Sequence, residues 1–242
     1  MKILIPTAKE MNLNVETTRR EPLSVASQAV LEDLAAYTVQ DLATLYQIKE
    51  ERAEEEYQHI QALKTQTAKT YPALELFDGL MYRNIRRQNL EFAEKNYLED
   101  HLLITSSLYG VIPAYGTISP HRLDFMMKLK VAGKSLKQHW KEEFDAAVKG
   151  EDVLLSLLSS EFEMVFSKVN RDKMIRFKFL EEKEGQLKVH STISKKARGQ
   201  FLTALMEHQV EDLAVIKDMS FAGFSFREDL SHDQEYVFVK TV

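Results

Sequence analysis

The stretch that most constrains the fold spans residues 103–129, with the sequence LITSSLYGVIPAYGTISPHRLDFMMKL. It continues an apolar run that starts at residue 101, and such a run predicts a buried strand. Pro113, Gly116 and Pro120 then keep the following connection out of helix. The spacing after residue 121 predicts a helix. The stretch is either an ordinary strand-to-helix loop or one that delivers polar groups to the edge of a sheet.

Length and composition predict one globular domain over residues 1–242. Of these 242 residues, 44% are apolar and 29% are charged, which is ordinary globular usage. No apolar run approaches the about 18 residues of a membrane helix, and no apolar signal region follows the N-terminus. We therefore predict a cytoplasmic protein, monomeric and without a membrane partner.

The sequence contains no cysteine and has a formal net charge of −5. The absence of thiols excludes disulfides, thiolate nucleophiles, iron–sulfur ligation and thiol peroxidase chemistry. An acidic chain is not an indiscriminate binder of polyanions, so phosphate binding requires a local cationic patch. The sequence shows no cofactor motif, and we expect no cofactor.

Short apolar or alternating segments separated by turn residues predict the strands of a sheet. Residues 174–180 and 187–193 alternate strictly around Gly185, which predicts an antiparallel hairpin. The other predicted strands are residues 2–6, 74–77, 101–105, 153–159, 220–226 and 235–239. The predicted fold is α+β: a mixed sheet surrounded by helices, with antiparallel C-terminal strands and a basic cleft at one edge.

Residues 24–63 show two helical apolar faces separated by a break, a pattern that resembles a helix–hairpin–helix. Such hairpins present backbone amides to DNA phosphates. The turn here reads AYTVQD and lacks the glycine that permits close approach, so a plain helical hairpin is the alternative. Glu56 and His59 have the Glu-x-x-His spacing of di-iron ligands, but the sequence has no second such pair, and we predict no metal site.

Five segments resemble, in the same order, the motifs of the peroxide stress protein YaaA family. They read ILIPTAKEM, YPALELFDGLMY, SSLYGVIPAYGTISPHRLDF, LLSLLSSEFEMVF and SKKARGQF. The resemblance spans nearly the whole chain. It implies a single-domain fold that binds double-stranded or distorted DNA in the response to hydroperoxide, and a link to limiting free intracellular iron.

Polar residues at strand ends are the first group of candidate site residues. The resemblance places Lys9 in the family's first motif and Tyr82 in its Phe-x-Gly-x-x-Tyr motif. Arg122 follows the long loop, and Glu161 follows a predicted strand. Strand ends and helix starts gather along one edge of a sheet, so we expect these side chains in one cleft, together with those of Lys196 and Arg198 from a later predicted helix. A loop lysine, a helix cap or an ion pair is the alternative at each position.

Two cationic segments give the second group of candidates, which are expected to bind phosphate. Residues 121–141 are rich in lysine and contain the candidates Lys128, Lys130, Lys134 and Lys137, while Lys196 and Arg198 lie near the start of a later predicted helix. Cations at a helix start oppose the helix dipole, which indicates a bound anion or a pairing with Glu161. A solvated helix face is the alternative for the lysines, although His139 and Trp140 add flat surfaces typical of nucleic-acid contacts.

Two functions of different classes remain open at this point. The first is a DNA-binding stress protein in which Lys9, Arg122, Lys196 and Arg198 supply cations. The second is an enzyme acting on a nucleotide, nucleobase or nucleic acid, with Lys9, Tyr82 and Glu161 as catalytic candidates. A protein that only scaffolds other partners is a third hypothesis.

Overall fold

The computed structural model describes residues 1–241. The strands are β1 (Lys2–Pro6), β2 (Tyr71–Pro72), β3 (Leu102–Ser106), β4 (Gly110–Pro113), β5 (Thr117–Ile118), β6 (Lys130–Val131), β7 (Lys134–Ser135), β8 (Leu154–Ser156), β9 (Met174–Lys183), β10 (Gln186–Lys188), β11 (Ser220–Phe221), β12 (Phe224–Phe226) and β13 (Glu235–Thr241). The α-helices are α1 (Val25–Leu34), α2 (Val39–Tyr46), α3 (Glu50–Lys64), α4 (Ala73–Leu76), α5 (Phe92–His101), α6 (Leu136–Ala147), α7 (Ser160–Glu163), α8 (Lys168–Arg171), α9 (Ser191–Glu207) and α10 (Leu213–Asp218). Short 3-10 helices cover Tyr82–Asn84 and Glu228–Leu230. Of the helices in this part of the chain, none has both the length and the apolar character needed to cross a membrane.

The main sheet has nine strands. Eight of them follow the order β11-β12-β13-β9-β8-β1-β3-β4, and β10 pairs with β9. Strands β3, β1, β8, β9 and β13 are parallel neighbours, whereas the pairings that involve β4, β10, β11 and β12 are antiparallel. The prediction of an α+β fold with a mixed sheet surrounded by helices is confirmed.

Strand β1 lies in the middle of this sheet, and both of its faces are buried. Ile3 and Ile5 belong to the apolar core on one face, to which α5 and α9 contribute. Leu4 belongs to the core on the other face, together with side chains of α1, α3 and α6. A strand covered on both faces is apolar throughout instead of alternating, which explains the run KILIP.

The order of the strands creates a crevice beside β1. From β1 the chain crosses to β3 on one side, and it later returns to β8 on the other side. Both neighbours run parallel to β1, so the carboxyl ends of the three strands point the same way. In open sheets, ligands bind beyond the carboxyl ends at the point where successive connections diverge. That point lies here between β1 and β8.

Helices α1 and α2 occupy the segment in which the helical hairpin was predicted, and each of them packs against α3. Thr38 caps α2 in a reciprocal capping box with Asp41. The backbone amides of Ala36, Tyr37 and Thr38 all donate to acceptors within the hairpin. Those donors are satisfied by the chain itself, and contact of this hairpin with DNA stays a prediction.

The prediction of a strand at residues 74–77 is wrong, because this segment contains the short helix α4. The residues Ala-Leu-Glu-Leu are good helix formers, and Pro72 stands before the first turn. Arg87 satisfies the end of the helix, since its Nη1 atom donates to the carbonyl oxygens of Leu74 and Phe77 at 3.0 and 2.8 Å. A short apolar run does not distinguish a strand from a buried helical turn.

The helix predicted after residue 121 begins later than predicted. Lys130 and Lys134 lie in the hairpin formed by β6 and β7. Its turn contains Ala132 and Gly133, with φ of 48° and 81°, which a right-handed helix cannot include. Helix α6 begins only after Ser135, whose side chain accepts a hydrogen bond from the Gln138 amide.

The cations predicted near the start of a helix, Lys196 and Arg198, lie farther along the helix than predicted. The helix starts at Ser191, so Lys196 and Arg198 lie beyond its first turn. Because the helix dipole acts mainly within the first turn, the dipole argument for a bound anion at these residues does not hold. Evidence for an anion has to come from their surroundings.

Candidate functional site

A cavity of about 480 Å³ opens at the crevice between the carboxyl ends of β1 and β8. Its walls come from residues 6–10 after β1, from residues 79–82, from residues 121–126 and from residues 159–162 after β8. Helix α9 adds the side chains of Lys195 and Arg198. The cavity therefore lies where the strand order predicts a ligand site.

Four of the residues predicted to share a cleft do line this cavity. They are Lys9, Tyr82, Glu161 and Arg198. Lys195, which precedes Lys196 in the predicted cationic helix start, lines the cavity in its place because residues three apart share one face of a helix. The spacing of Lys195 and Arg198 was the signal in the sequence.

Arg122 lies outside the cavity wall, between the lining residues His121 and Leu123. In an extended segment, neighbouring side chains point to opposite sides. The Nε atom of Arg122 is buried and has no hydrogen-bond partner among residues 1–241. Its charge acts on the buried phenol of Tyr46, which places it toward the helical hairpin.

Two glycines allow the segments around the cavity to approach closely. A Cβ atom on Gly79 would lie 2.7 Å from the Cβ atom of Ala8. A Cβ atom on Gly199 would lie 2.2 Å from the carbonyl oxygen of Met81. Real Cβ atoms do not come this close, so α9 and the loop after β1 reach residues 79–82 only because both positions lack a side chain.

Tyr82 holds two walls of the cavity together. Its hydroxyl donates to the carbonyl oxygen of Pro6 at 2.8 Å, and its side chain is 1% exposed. Burial raises the pKa of Tyr82 well above its ordinary value, and Arg87 only partly opposes this shift. The phenol therefore stays protonated and acts as a positioning residue for the loop after β1, rather than as an acid or base.

Arg198 is a cation without a partner at the cavity. Its Nε atom is buried and forms no hydrogen bond with the residues described. Burial lowers the pKa of its guanidinium, while the charges of Glu163 and Glu161 oppose that shift. A guanidinium keeps its charge even so. The cavity thus contains a fixed positive charge, and its buried Nε–H donor is unpaired in the described part of the chain.

Lys9 is paired, and the pair separates two cavities. Its Nζ atom lies 3.0 Å from a carboxylate oxygen of Asp124; the lysine side chain is 59% exposed and the aspartate 14%. Both residues also line a second cavity of about 620 Å³, which Lys128 borders as well. An ion pair this exposed stabilises by about 1 kcal/mol at most, so the two cavities adjoin across a weak contact.

His121 faces the cavity as a neutral imidazole. Its Nδ1 atom lies 2.9 Å from the carbonyl oxygen of Ser119, which can only accept, so Nδ1 carries the proton and Nε2 the lone pair. The ring packs against Tyr109 and Phe77 and is 5% exposed. Burial lowers the pKa of His121 to about 4. The site was not predicted to contain this histidine.

The pKa of His121 predicts a loss of stability in weak acid. The imidazole of the unfolded chain takes up a proton below its ordinary pKa of about 6.5, whereas the folded one does so only near a pKa of about 4. Its contribution is complete above pH 6.5 and is lost as the pH falls toward 4. Lowering the pH from 7 to 5 should reduce the free energy of unfolding by about 2 kcal/mol through this group. Urea titrations at both pH values should show a loss smaller by that amount in His121→Gln; an equal loss in both proteins would contradict the assignment.

The lysines of residues 128–137 lie on one surface segment, here called the lysine cluster: Lys128, Lys130, Lys134 and Lys137. None of them forms an ion pair within residues 1–241, whereas Lys141 pairs with Asp145 at 3.2 Å. Trp140 is fully buried, and its indole N–H donates to the carbonyl oxygen of Ser107 at 2.7 Å. The flat surface expected from Trp140 is therefore not available to bases.

The hydrogen-bond donors and acceptors that line the cavity suit a polar organic ligand. Arg198 and Lys195 are donors, while His121 Nε2 and the carboxylate of Glu161 are acceptors. In residues 1–241, no three His, Asp or Glu side chains are placed to share a metal ion. Glu56 and His59 do contact each other, with 3.5 Å between Oε2 and Nδ1.

The comparisons with known proteins identify the family. A family model described as peroxide stress protein YaaA matches residues 1–230. UPF0246 proteins of Streptococcus pneumoniae strain CGSP14 and of the serotype 19F strain G54 are each 61% identical to this chain over 242 residues, which is the whole of both chains. The UPF0246 protein of strain Hungary19A-6 is 60% identical over the same length. The resemblance seen in the sequence is confirmed, and this chain belongs to the peroxide stress protein YaaA family.

Proposed function

We propose that this protein acts in the peroxide stress response by binding double-stranded or distorted DNA. The observation that carries the proposal is the lysine cluster, a group of cations without ion-pair partners in the described chain on a protein with a net charge of −5. Lysines without partners are free to neutralise phosphates and release counterions, which drives DNA binding without sequence preference. Lys128 borders the second cavity, so DNA on the cluster would reach the Lys9–Asp124 pair.

Two further parts complete this proposal. The protein acts in the cytoplasm, and its binding of DNA is linked to limiting free intracellular iron, a link that the resemblance to the YaaA family supports. The positive charge that would attract DNA comes from the lysine cluster and from Lys9 and Lys195, which line the cavity between β1 and β8.

The test removes three lysines of the cluster together. Lys130→Ala, Lys134→Ala and Lys137→Ala in one chain should weaken binding of a duplex and lower the slope of log affinity against log salt by up to about one unit per lost phosphate contact. Fluorescence anisotropy over a salt series measures both quantities. The matched control replaces the exposed Lys49, Lys149 and Lys183, which removes the same charge elsewhere. Equal losses in the two triple variants would mean that only net charge matters and would reject the cluster as the DNA site.

An enzyme acting on a nucleotide, nucleobase or nucleic acid is the second candidate. The cavity favours it, because a phosphate-binding surface does not need a buried neutral imidazole and a carboxylate in one cavity. Complementation of a peroxide-sensitive deletion strain compares the candidates. Protection that survives the triple lysine change but is lost in Glu161→Gln would replace DNA binding by the enzymatic function, because the amide keeps the shape and cannot exchange a proton.

A further inference from the structure

We propose that the cavity at the carboxyl ends of β1 and β8 binds one nucleoside monophosphate unit, with its phosphate at Arg198 and Lys195 and its base between the apolar walls. This inference goes beyond DNA binding by the lysine cluster, because no residue of that cluster is among the described residues that line this cavity. The unit comes either from a free nucleotide or from a nucleotide turned out of bound DNA. Both sources present the same chemistry to the cavity.

The phosphate end is argued from the charges on α9. The acid whose charge acts most strongly on Arg198 is Glu163, but this carboxylate already accepts from Arg176 at 2.9 Å and from the hydroxyl of Ser156 at 2.6 Å. The buried Nε–H of Arg198 therefore has no acceptor among the described residues, which is costly unless a ligand supplies one. Lys195 lies one helical turn away on the same face. A guanidinium with a nearby ammonium matches a phosphate, which accepts paired hydrogen bonds.

The rest of the cavity lining suits a base. Leu80, Leu123 and Phe162 line the cavity with apolar surface suited to a flat ring. Two acceptors also line the cavity, namely the Nε2 lone pair of His121 and the carboxylate of Glu161, whose charge also acts on Arg198. Acceptors recognise rings that carry N–H groups, and an exocyclic amino group offers two. We therefore expect cytosine and adenine to be preferred over thymine.

The position and size of the cavity agree with this ligand. It lies beyond the carboxyl ends of parallel strands where the connections diverge, which is the usual ligand position in open sheets. Its volume of about 480 Å³ falls within the range of about 300–1,000 Å³ typical of small-molecule sites. A phosphate alone would leave most of this space and all of the apolar wall unused.

Calorimetric titration of the full chain with dCMP, dAMP and dTMP tests the proposal directly. We expect dCMP and dAMP to bind more tightly than dTMP. Deoxycytidine and inorganic phosphate, titrated separately, should each bind at least about tenfold more weakly than dCMP, because each fills only half of the site. Absence of binding by all three mononucleotides would overturn the proposal, and so would phosphate binding as tightly as dCMP.

Arg198→Met separates a binding role from a structural one. Methionine keeps the length of the side chain and removes the unpaired charge, so the variant should melt about 2–4 °C higher while it binds dCMP at least about tenfold more weakly. Lys196→Met is the matched control on the same helix, outside the cavity, and should bind dCMP as the unmodified chain does. A variant at Arg198 that binds dCMP with unchanged affinity would refute the phosphate site.

A second arm distinguishes the two sources of the ligand. A duplex that carries 2-aminopurine opposite an abasic site becomes brighter when the base leaves the stack. Brightening that Arg198→Met removes and Lys196→Met retains would support a nucleotide turned out of DNA. Binding of dCMP without brightening would support a free nucleotide. Because the mononucleotide titrations contain no DNA, failure of DNA binding by the lysine cluster leaves this test intact.

Discussion

Replacement of Gly199 by alanine is expected to lower the free energy of unfolding by about 3 kcal/mol. Two effects oppose each other at this position. Alanine is a better helix former than glycine by about 1 kcal/mol. The added Cβ atom, however, would lie 2.2 Å from the Met81 carbonyl oxygen and 2.9 Å from the carbonyl carbon of Asn84, and neither backbone atom can rotate away. The clash therefore decides the sign.

Urea unfolding followed by circular dichroism measures this change. Lys196→Ala is the control, because it alters an exposed residue of the same helix and should shift stability by less than about 0.5 kcal/mol. Since α9 would have to move away from residues 79–82, Gly199→Ala should also lower the affinity for any ligand that contacts Arg198 and Lys195. A variant as stable as the unmodified chain would show that helix and loop are not in this contact.

Trp140→Ala should cost about 3–5 kcal/mol, a large part of the about 5–15 kcal/mol that stabilises a typical domain. The side chain is fully buried against Phe144, and its indole N–H donates to the carbonyl oxygen of Ser107. The substitution leaves a cavity and an acceptor without its donor. The Trp140 side chain joins α6 to the turn after β3, so its removal should loosen the packing of residues 103–129 against α6.

Circular dichroism is the suitable readout, because Trp140 is the one tryptophan of the chain and its fluorescence disappears with it. Trp140→Phe is the matched variant: it keeps most of the buried ring and removes the donor, so it should lose less than the alanine variant. If Trp140 were instead an exposed platform for bases, Trp140→Ala would unfold at the same urea concentration as the unmodified chain and would lose only DNA affinity.

The parts of the fold that follow from local pattern were predictable from the sequence. β1 reads as a continuous apolar run because both faces are covered, and β9 alternates because Phe177 and Phe179 are buried while Lys178 is exposed. Residues 74–77 were not predictable in the same way. Four apolar or helix-forming residues fit a strand and a helical turn equally well, and Arg87, which satisfies the end of the helix, comes from outside the segment.

The site was predictable in its location and only partly in its members. The rule that strand ends gather at one edge brought Lys9 and Glu161 together correctly. It could not show that Arg122 faces away, since that depends on which side of an extended segment packs inward. Whether Lys195 or Lys196 lines the cavity depends on how α9 packs at Gly199. The pairing of Lys9 with Asp124 depends on a contact between segments that are distant in the sequence.

The Lys9–Asp124 pair has a consequence for how anions exchange at this surface. A phosphate that reaches Lys9 has to displace the carboxylate of Asp124, which already occupies the place of a mobile counterion. The phosphate releases its own condensed cation, but the displaced carboxylate is left unpaired and attracts a cation in turn, which offsets part of that release. A salt titration therefore counts the contact at Lys9 only in part. Asp124→Asn removes the competing carboxylate, so the slope of log affinity for DNA against log salt should become steeper.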